Sequence, residues 1–103
     1  MSAVYDLSVE LCKILKANYY ARGSQLDYNF LIDEGRKYYK IVMVSNQRSV
    51  HAFVDKVTGD LYKPAGWAAP AKGVRFNLFR DLEQLREIGK NYSAMWAGGY
   101  LYK

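Results

Sequence analysis

The sequence has few of the residues on which crosslinks, metal sites and membrane spans depend. Its 103 residues include one cysteine, Cys12, and one histidine, His51, so an internal disulfide cannot form and a tetrahedral zinc site lacks ligands. The longest uncharged apolar stretch, Ile41–Val44, is far shorter than the roughly 20 residues of a membrane-spanning helix. The N-terminus has no basic flank followed by an apolar run, so we expect no secretory signal. These absences predict a cytoplasmic protein with no cofactor, no metal and no membrane partner.

The residue patterns of common enzyme classes are also missing. No glycine pattern matches a phosphate-binding loop. His51 is predicted to share a strand face with Phe53 and Asp55, which is typical of a structural histidine, although pairing with Asp55 or Cys12 is the catalytic alternative. Nothing near Cys12 would lower its pKa. Asp55 and Asp60 bracket a tight turn, where carboxylates ordinarily accept hydrogen bonds from the turn itself. We therefore predict no catalytic residue and no enzyme activity.

What the sequence does contain is enough apolar residues for one core. Hydrophobic residues make up 50% and charged residues 24% of the chain, a composition typical of a folded domain. The length predicts a single domain over residues 1–103. Ten tyrosines are present, and tyrosine suits both half-buried strand positions and contact surfaces. The net charge of +5 favours anionic partners, but the basic residues are scattered along the chain.

The hydrophobic periodicity of the first half predicts a helix followed by strands. Apolar residues recur every three or four positions over residues 3–19, which predicts an N-terminal helix with Ser2 as its N-cap and residues 22–24 as its end. The period then changes to two. Strands are predicted over residues 28–33, 38–45, 50–57 and 61–63, and the short connections predict a three- to four-stranded antiparallel meander.

The second half predicts a turn, a loop, a helix and a tail. Gly59 is expected to take a positive φ in the hairpin turn before the last predicted strand. A second helix is predicted with Asp81 as its N-cap and Gly89 at its end. An aromatic C-terminal tail follows from Asn91. The predicted fold class is therefore α+β, with an N-terminal helix, the meander, a second helix and this tail.

The loop over residues 64–73 is a candidate binding surface. Two prolines, two glycines and a tryptophan make it unlike an inert linker. In and beside it, cations alternate with aromatic rings: Lys63, Trp67, Lys72, Arg75 and Phe76. Such a mixture suits a protein-binding hot spot, or phosphate contact with base stacking. Alternatively, Trp67 folds back and caps the sheet, and the sequence leaves the three possibilities open.

The C-terminal tail is the second candidate. Trp96, Tyr100 and Tyr102 lie around the Gly98-Gly99 pair, and a segment this apolar is not expected to remain free in solvent. It either packs on the domain, adds a strand to the sheet, or docks on a partner or on another copy of the chain. We expect docking, because a Gly-Gly hinge allows such a segment to exchange between copies at little conformational cost.

Two segments resemble known families. Residues 51–61 are similar to the "VDxxTGxV" hairpin of PepSY-type domains, which implies a turn rather than an activity. Residues 53–76, with the string W-x-A-P-A-K-G-x-R, resemble a block found in small uncharacterised proteins of tailed bacteriophages. That resemblance implies a viral origin, and hence a location in the host cytoplasm or in the virion.

Together these observations predict a non-enzymatic phage-type protein that acts by binding. It would dock on a host or phage protein, as a host-defence inhibitor or a minor virion component. The alternative is a small basic nucleic-acid-binding module that uses Lys63, Lys72, Arg75 and the exposed aromatic rings.

Overall fold

The predicted α+β architecture is present in the computed structural model, which describes residues 3–21 and 28–102. These residues form two α-helices, five strands and two short 3-10 helices. The helices are α1 (Ala3–Tyr20) and α2 (Leu78–Asn91). The strands are β1 (Asn29–Glu34), β2 (Tyr38–Val44), β3 (Arg48–Asp55), β4 (Asp60–Tyr62) and β5 (Phe76–Asn77). The 3-10 helices are Met95–Ala97 and Gly99–Tyr102.

The strands form one antiparallel sheet in sequence order, from β1 to β5. β2 lies inside the sheet, as its apolar residues on both faces predict. Gly59 has a φ of 77°, which confirms the positive φ expected in that turn. The sequence did not predict β5. It has only two residues, which are too few to show an alternation of apolar and polar side chains. Ser2 and residues 22–24, the predicted ends of the first helix, lie outside the described residues.

Both helices pack on one face of the sheet. Alternate strand residues and the inner stripes of the helices form one core there, whose fully buried members include Leu11, Leu15, Ile41, Val54, Leu61, Leu78 and Leu85. In the described chain, neither helix has the apolar length that crossing a bilayer requires.

The opposite face, here called the outer face, carries the other alternate residues of the strands. Its cross-strand neighbours include Lys40 opposite Phe53, and Phe53 opposite Tyr62. Neither α1 nor α2 covers this side, since their buried side chains belong to the core on the other face. The sheet therefore has one face covered by helices and an outer face that neither α1 nor α2 covers, on which Phe53 is nevertheless buried.

A β-bulge corrects the predicted orientation of His51. The register of β2 and β3 shifts between Ile41 and Val42, and His51 is the extra residue on β3. A bulge interrupts the alternation of side chains. His51 therefore points into the core beside Phe30 and Tyr100, and does not share the face of Phe53 as strict alternation predicts.

The predicted limits of α2 were also wrong at both ends. The N-cap is Asn77, whose side chain accepts hydrogen bonds from the backbone N–H groups of Phe79 and Arg80. Asp81 lies inside the first turns and accepts a hydrogen bond from the Asn77 N–H. Gly89 does not end the helix, which continues to Asn91. Instead it allows close contact with α1, since a Cβ there would lie 2.8 Å from Cγ2 of Ile14.

Candidate functional site

The loop between β4 and β5 is a narrow, internally bonded hairpin. The Ala71 N–H donates to the Lys63 carbonyl at 2.8 Å, and the Ala65 N–H donates to the Ala69 carbonyl at 3.0 Å. Between these bonds, Pro64 and Pro70 form an isolated bridge. These backbone contacts bring the two sides of the loop together and leave Trp67 at its tip. We call residues 63–75 the Trp67 loop.

Trp67 lies against the outer face of the sheet. Nζ of Lys40 is 4.2 Å from the centroid of the Trp67 ring and 5.9 Å from that of Phe53. An ammonium group over an aromatic face is stabilised by the ring quadrupole, by about 0.5–1 kcal/mol at exposed sites. Trp67 is nevertheless 48% exposed, whereas Phe53 is 2% exposed. The tryptophan is thus positioned by the sheet without being buried in it.

Further aromatic rings extend this surface along the sheet. The Tyr38 ring packs edge-to-face against Phe53 and against Tyr62, with both centroid distances 5.9 Å. Nζ of Lys37 lies 5.5 Å from the Tyr38 centroid. Exposed aromatic surface with interspersed cations is characteristic of contact sites in soluble proteins.

A cleft of about 350 Å³ separates the Trp67 loop from the β1–β2 turn. Arg36, Lys37 and Lys40 contribute cations to its lining, and Trp67 and Phe53 contribute rings. The turn is held in place from β3, because Lys56 donates to the Glu34 carboxylate and to the Gly35 carbonyl. Both walls of the cleft are therefore positioned by hydrogen bonds.

The predicted cations beside Trp67 separate into two groups. Lys72 is exposed on the loop. Lys63 and Arg75 instead contact the C-terminal segment: Nζ of Lys63 lies 4.8 Å from the Tyr102 centroid, and Nε of Arg75 donates to the Leu101 carbonyl at 2.6 Å. These two residues fasten the tail to the sheet edge, and do not line the cleft.

The aromatic residues of the tail are mainly part of the core. Tyr100 is 4% exposed and its hydroxyl lies 2.8 Å from Nε2 of His51; Phe76 packs beside its ring. Trp96 is half-buried against Tyr19. The expectation that Tyr100 contributes to a docking surface is therefore corrected, because its ring is not accessible in this fold. Among the three predicted tail residues only Tyr102, at 58% exposure, faces solvent.

Asn18 is the residue that joins the tail to α1. Its side-chain nitrogen donates to the carbonyls of Gly89 and Tyr92 at 2.8 and 2.9 Å, and its side-chain oxygen accepts from the Trp96 N–H at 2.9 Å. The side chain is 5% exposed. Three buried hydrogen bonds from one amide fix the path of the chain after α2.

The residues that sequence reasoning missed are those contributed by the strands. Lys40, Tyr38 and Phe53 are predicted from the sequence only as strand residues. Contact between Trp67 and the sheet is one of the alternatives left open, but the sequence does not name the strand residues that Trp67 would contact. The alternation of Tyr38 and Lys40 was visible, but the sequence did not show that this face lacks a helix. The register that places Lys40 opposite Phe53 completes the site.

The groups that resemble catalytic residues are His51, Cys12 and Asp55, and their surroundings shift the pKa of each. Burial lowers the pKa of His51 to about 4, against an opposing backbone hydrogen bond at Trp96, and burial raises the pKa of Cys12 to about 12. Burial alone would raise the pKa of Asp55, but hydrogen bonds from Thr58 and Val57 hold it below its usual value. Within residues 3–21 and 28–102, no group of three or more metal-ligating side chains occurs.

A larger cleft, of about 470 Å³, lies between α1 and α2. Its charged lining is paired in part within the chain. Glu10 forms ion pairs with Lys13, as their spacing predicts, and with Arg86. In the cleft beside Trp67, none of the three lining cations forms an ion pair among the described residues.

Comparison with known proteins identifies the family. The chain belongs to DUF7717, a family of unknown function, whose model matches residues 1–103. No match was found among curated proteins or solved structures.

Proposed function

We propose that this member of DUF7717 is a binding protein that docks on another protein through the outer face of its sheet, with Trp67 as the anchor. The observation that carries the proposal is the position of the Trp67 ring. It is 48% exposed at the tip of a hydrogen-bonded hairpin, with Nζ of Lys40 4.2 Å from its centroid. A large ring that is fixed before binding gains contact area at a small entropic cost.

The surroundings of Trp67 fit a protein interface. Tyr38 and Tyr62 extend the aromatic surface, and Leu31 is a further exposed apolar side chain of β1, at 40% exposure. Trp, Tyr and Arg are the residues that dominate protein-binding hot spots. The resemblance of residues 53–76 to phage proteins supports a partner of host or phage origin, for an inhibitor or a virion component.

The test compares two variants that each remove one exposed aromatic ring. Trp67→Ala changes the proposed anchor, whereas Phe79→Ala changes an exposed ring on α2. A partner is captured from a cell lysate, identified, purified and titrated against each folded variant. Loss of a hot spot weakens affinity by roughly thirtyfold or more, so we expect this loss for Trp67→Ala and unchanged affinity for Phe79→Ala.

Equal affinity of the purified partner for Trp67→Ala and the wild type would contradict the proposal. Unfolding of Trp67→Ala, with Phe79→Ala intact, would instead assign Trp67 a structural role. Binding of a random oligonucleotide with a steep salt dependence would support the nucleic-acid alternative.

A further inference from the structure

We infer that the cleft beside Trp67 recognises a short acidic peptide segment of its partner, with an apolar side chain against the Trp67 ring and carboxylates beside Arg36, Lys37 and Lys40. This inference rests on the proposed docking function and adds the chemistry of the segment that docks.

The acidic residues around the cleft already have partners within the chain. Asp33 forms an ion pair with Arg48 and Glu34 with Lys56. Asp55 accepts hydrogen bonds from the N–H groups of its own turn at 2.8 and 2.9 Å. The negative charge at this end of the sheet is therefore largely neutralised before any partner arrives.

The cations of the cleft are paired less closely. The charge of Lys37 helps to lower the pKa of Asp55, but the two groups form no direct ion pair. Among the described residues, Arg36, Lys37 and Lys40 form no ion pair. Lys37 and Lys40 lie over aromatic rings instead, and Arg36 is exposed in the turn. The cleft consequently presents a net positive charge beside an apolar ring. Charge complementarity of this kind selects acidic partners and raises the rate of association.

The same geometry is less suited to a nucleic-acid strand. Successive bases stack on several open rings, but Phe53 is 2% exposed and Nζ of Lys40 lies over one face of Trp67. The exposed part of Trp67 suffices for one apolar side chain but not for a row of bases. Three cations match the few carboxylates of a short peptide, whereas affinity for a nucleic-acid strand comes from neutralising many phosphates.

The experiment selects peptides and then tests their charge. A displayed library of short random peptides is panned on the folded full chain, and selected peptides are titrated by calorimetry. We expect enrichment of Asp and Glu beside an apolar residue. Replacing those acids by Asn and Gln should weaken binding about tenfold, the effect of losing one charged hydrogen bond.

Variants of the protein provide the matched controls. Lys37→Glu reverses a charge in the cleft, and Lys90→Glu reverses an exposed charge on α2. We expect about tenfold weaker peptide binding for the first and no change for the second. An oligothymidylate competitor is expected not to displace the peptide.

The outcomes separate the two proposals. Peptides that need Trp67 but show no acidic preference, or bind Lys37→Glu as they bind the wild type, would contradict the acidic segment and leave docking intact. Peptides that bind Trp67→Ala normally, or a selection without any Trp67-dependent peptide, would contradict both. Displacement by the oligothymidylate would overturn the inference in favour of a nucleic-acid strand.

Discussion

The Trp67 loop and the C-terminal tail each contain a tryptophan and two glycines, but their aromatic residues are placed differently. Tyr100 of the tail is buried, whereas Trp67 is exposed at a loop tip. The difference arises from polar side chains elsewhere in the chain. Asn18 and His51 reach the tail through buried hydrogen bonds, whereas the loop forms its backbone bonds mainly with itself. Aromatic content alone therefore does not identify a binding surface.

The largest expected effect on the free energy of unfolding comes from Asn18→Leu, which removes the hydrogen bonds that hold the tail. The substitution keeps the size of the side chain but leaves the Gly89 and Tyr92 carbonyls and the Trp96 N–H without their partner. Each buried unsatisfied group costs roughly 1–3 kcal/mol, so the free energy of unfolding should fall by about 3 kcal/mol or more. Urea denaturation measures this change.

The matched control is Asn91→Leu on α2. Asn91 is exposed, and its side chain donates to Glu87 within its own helix, so its loss should cost no more than about 0.5 kcal/mol. Equal effects of the two substitutions would show that Asn18 does not hold the tail.

Acidic pH should weaken the same region through His51. Its pKa is about 4 in the fold against an ordinary 6.5, so between these values the unfolded chain binds a proton that the folded chain does not. The free energy of unfolding should therefore fall as the pH decreases from 6.5 to about 4. The total contribution of the group is roughly 3 kcal/mol.

Urea denaturation across that pH window checks the prediction. His51→Gln keeps a polar side chain but removes the titrating group. The free energy of unfolding of this variant should therefore depend less steeply on pH than that of the wild type. Identical slopes for His51→Gln and the wild type would contradict the account.

The sequence predicted the parts of the fold that depend on local pattern. The apolar stripe of α1, the alternation in β1 to β4 and the turn glycine at Gly59 each follow from neighbours in the chain. The bulge at His51 and the true start of α2 at Asn77 were missed because tertiary packing decides them. A two-residue strand such as β5 has no period to detect.

The candidate site was predicted only in part, for a related reason. The exposed Trp67 and Lys72 come from one loop and were visible as a segment. Lys40 comes to lie beside both Phe53 and Trp67 only through the strand register and the path of the loop. The sequence alone does not distinguish Tyr100 from a tyrosine at an interface. Its burial depends on a hydrogen bond to His51, a residue distant in the chain.

The most direct test of this contrast is the stability of Trp67→Ala beside that of Trp96→Ala. We expect the first to lower the free energy of unfolding by less than about 1 kcal/mol, because the Trp67 ring is half-exposed and contacts Lys40. The second should cost about 3 kcal/mol, because Trp96 packs on Tyr19 and Tyr28. Equal losses of unfolding free energy for the two variants, measured by urea denaturation, would contradict the account. Trp67 would then stabilise the fold as much as Trp96 does, instead of serving as an exposed binding residue.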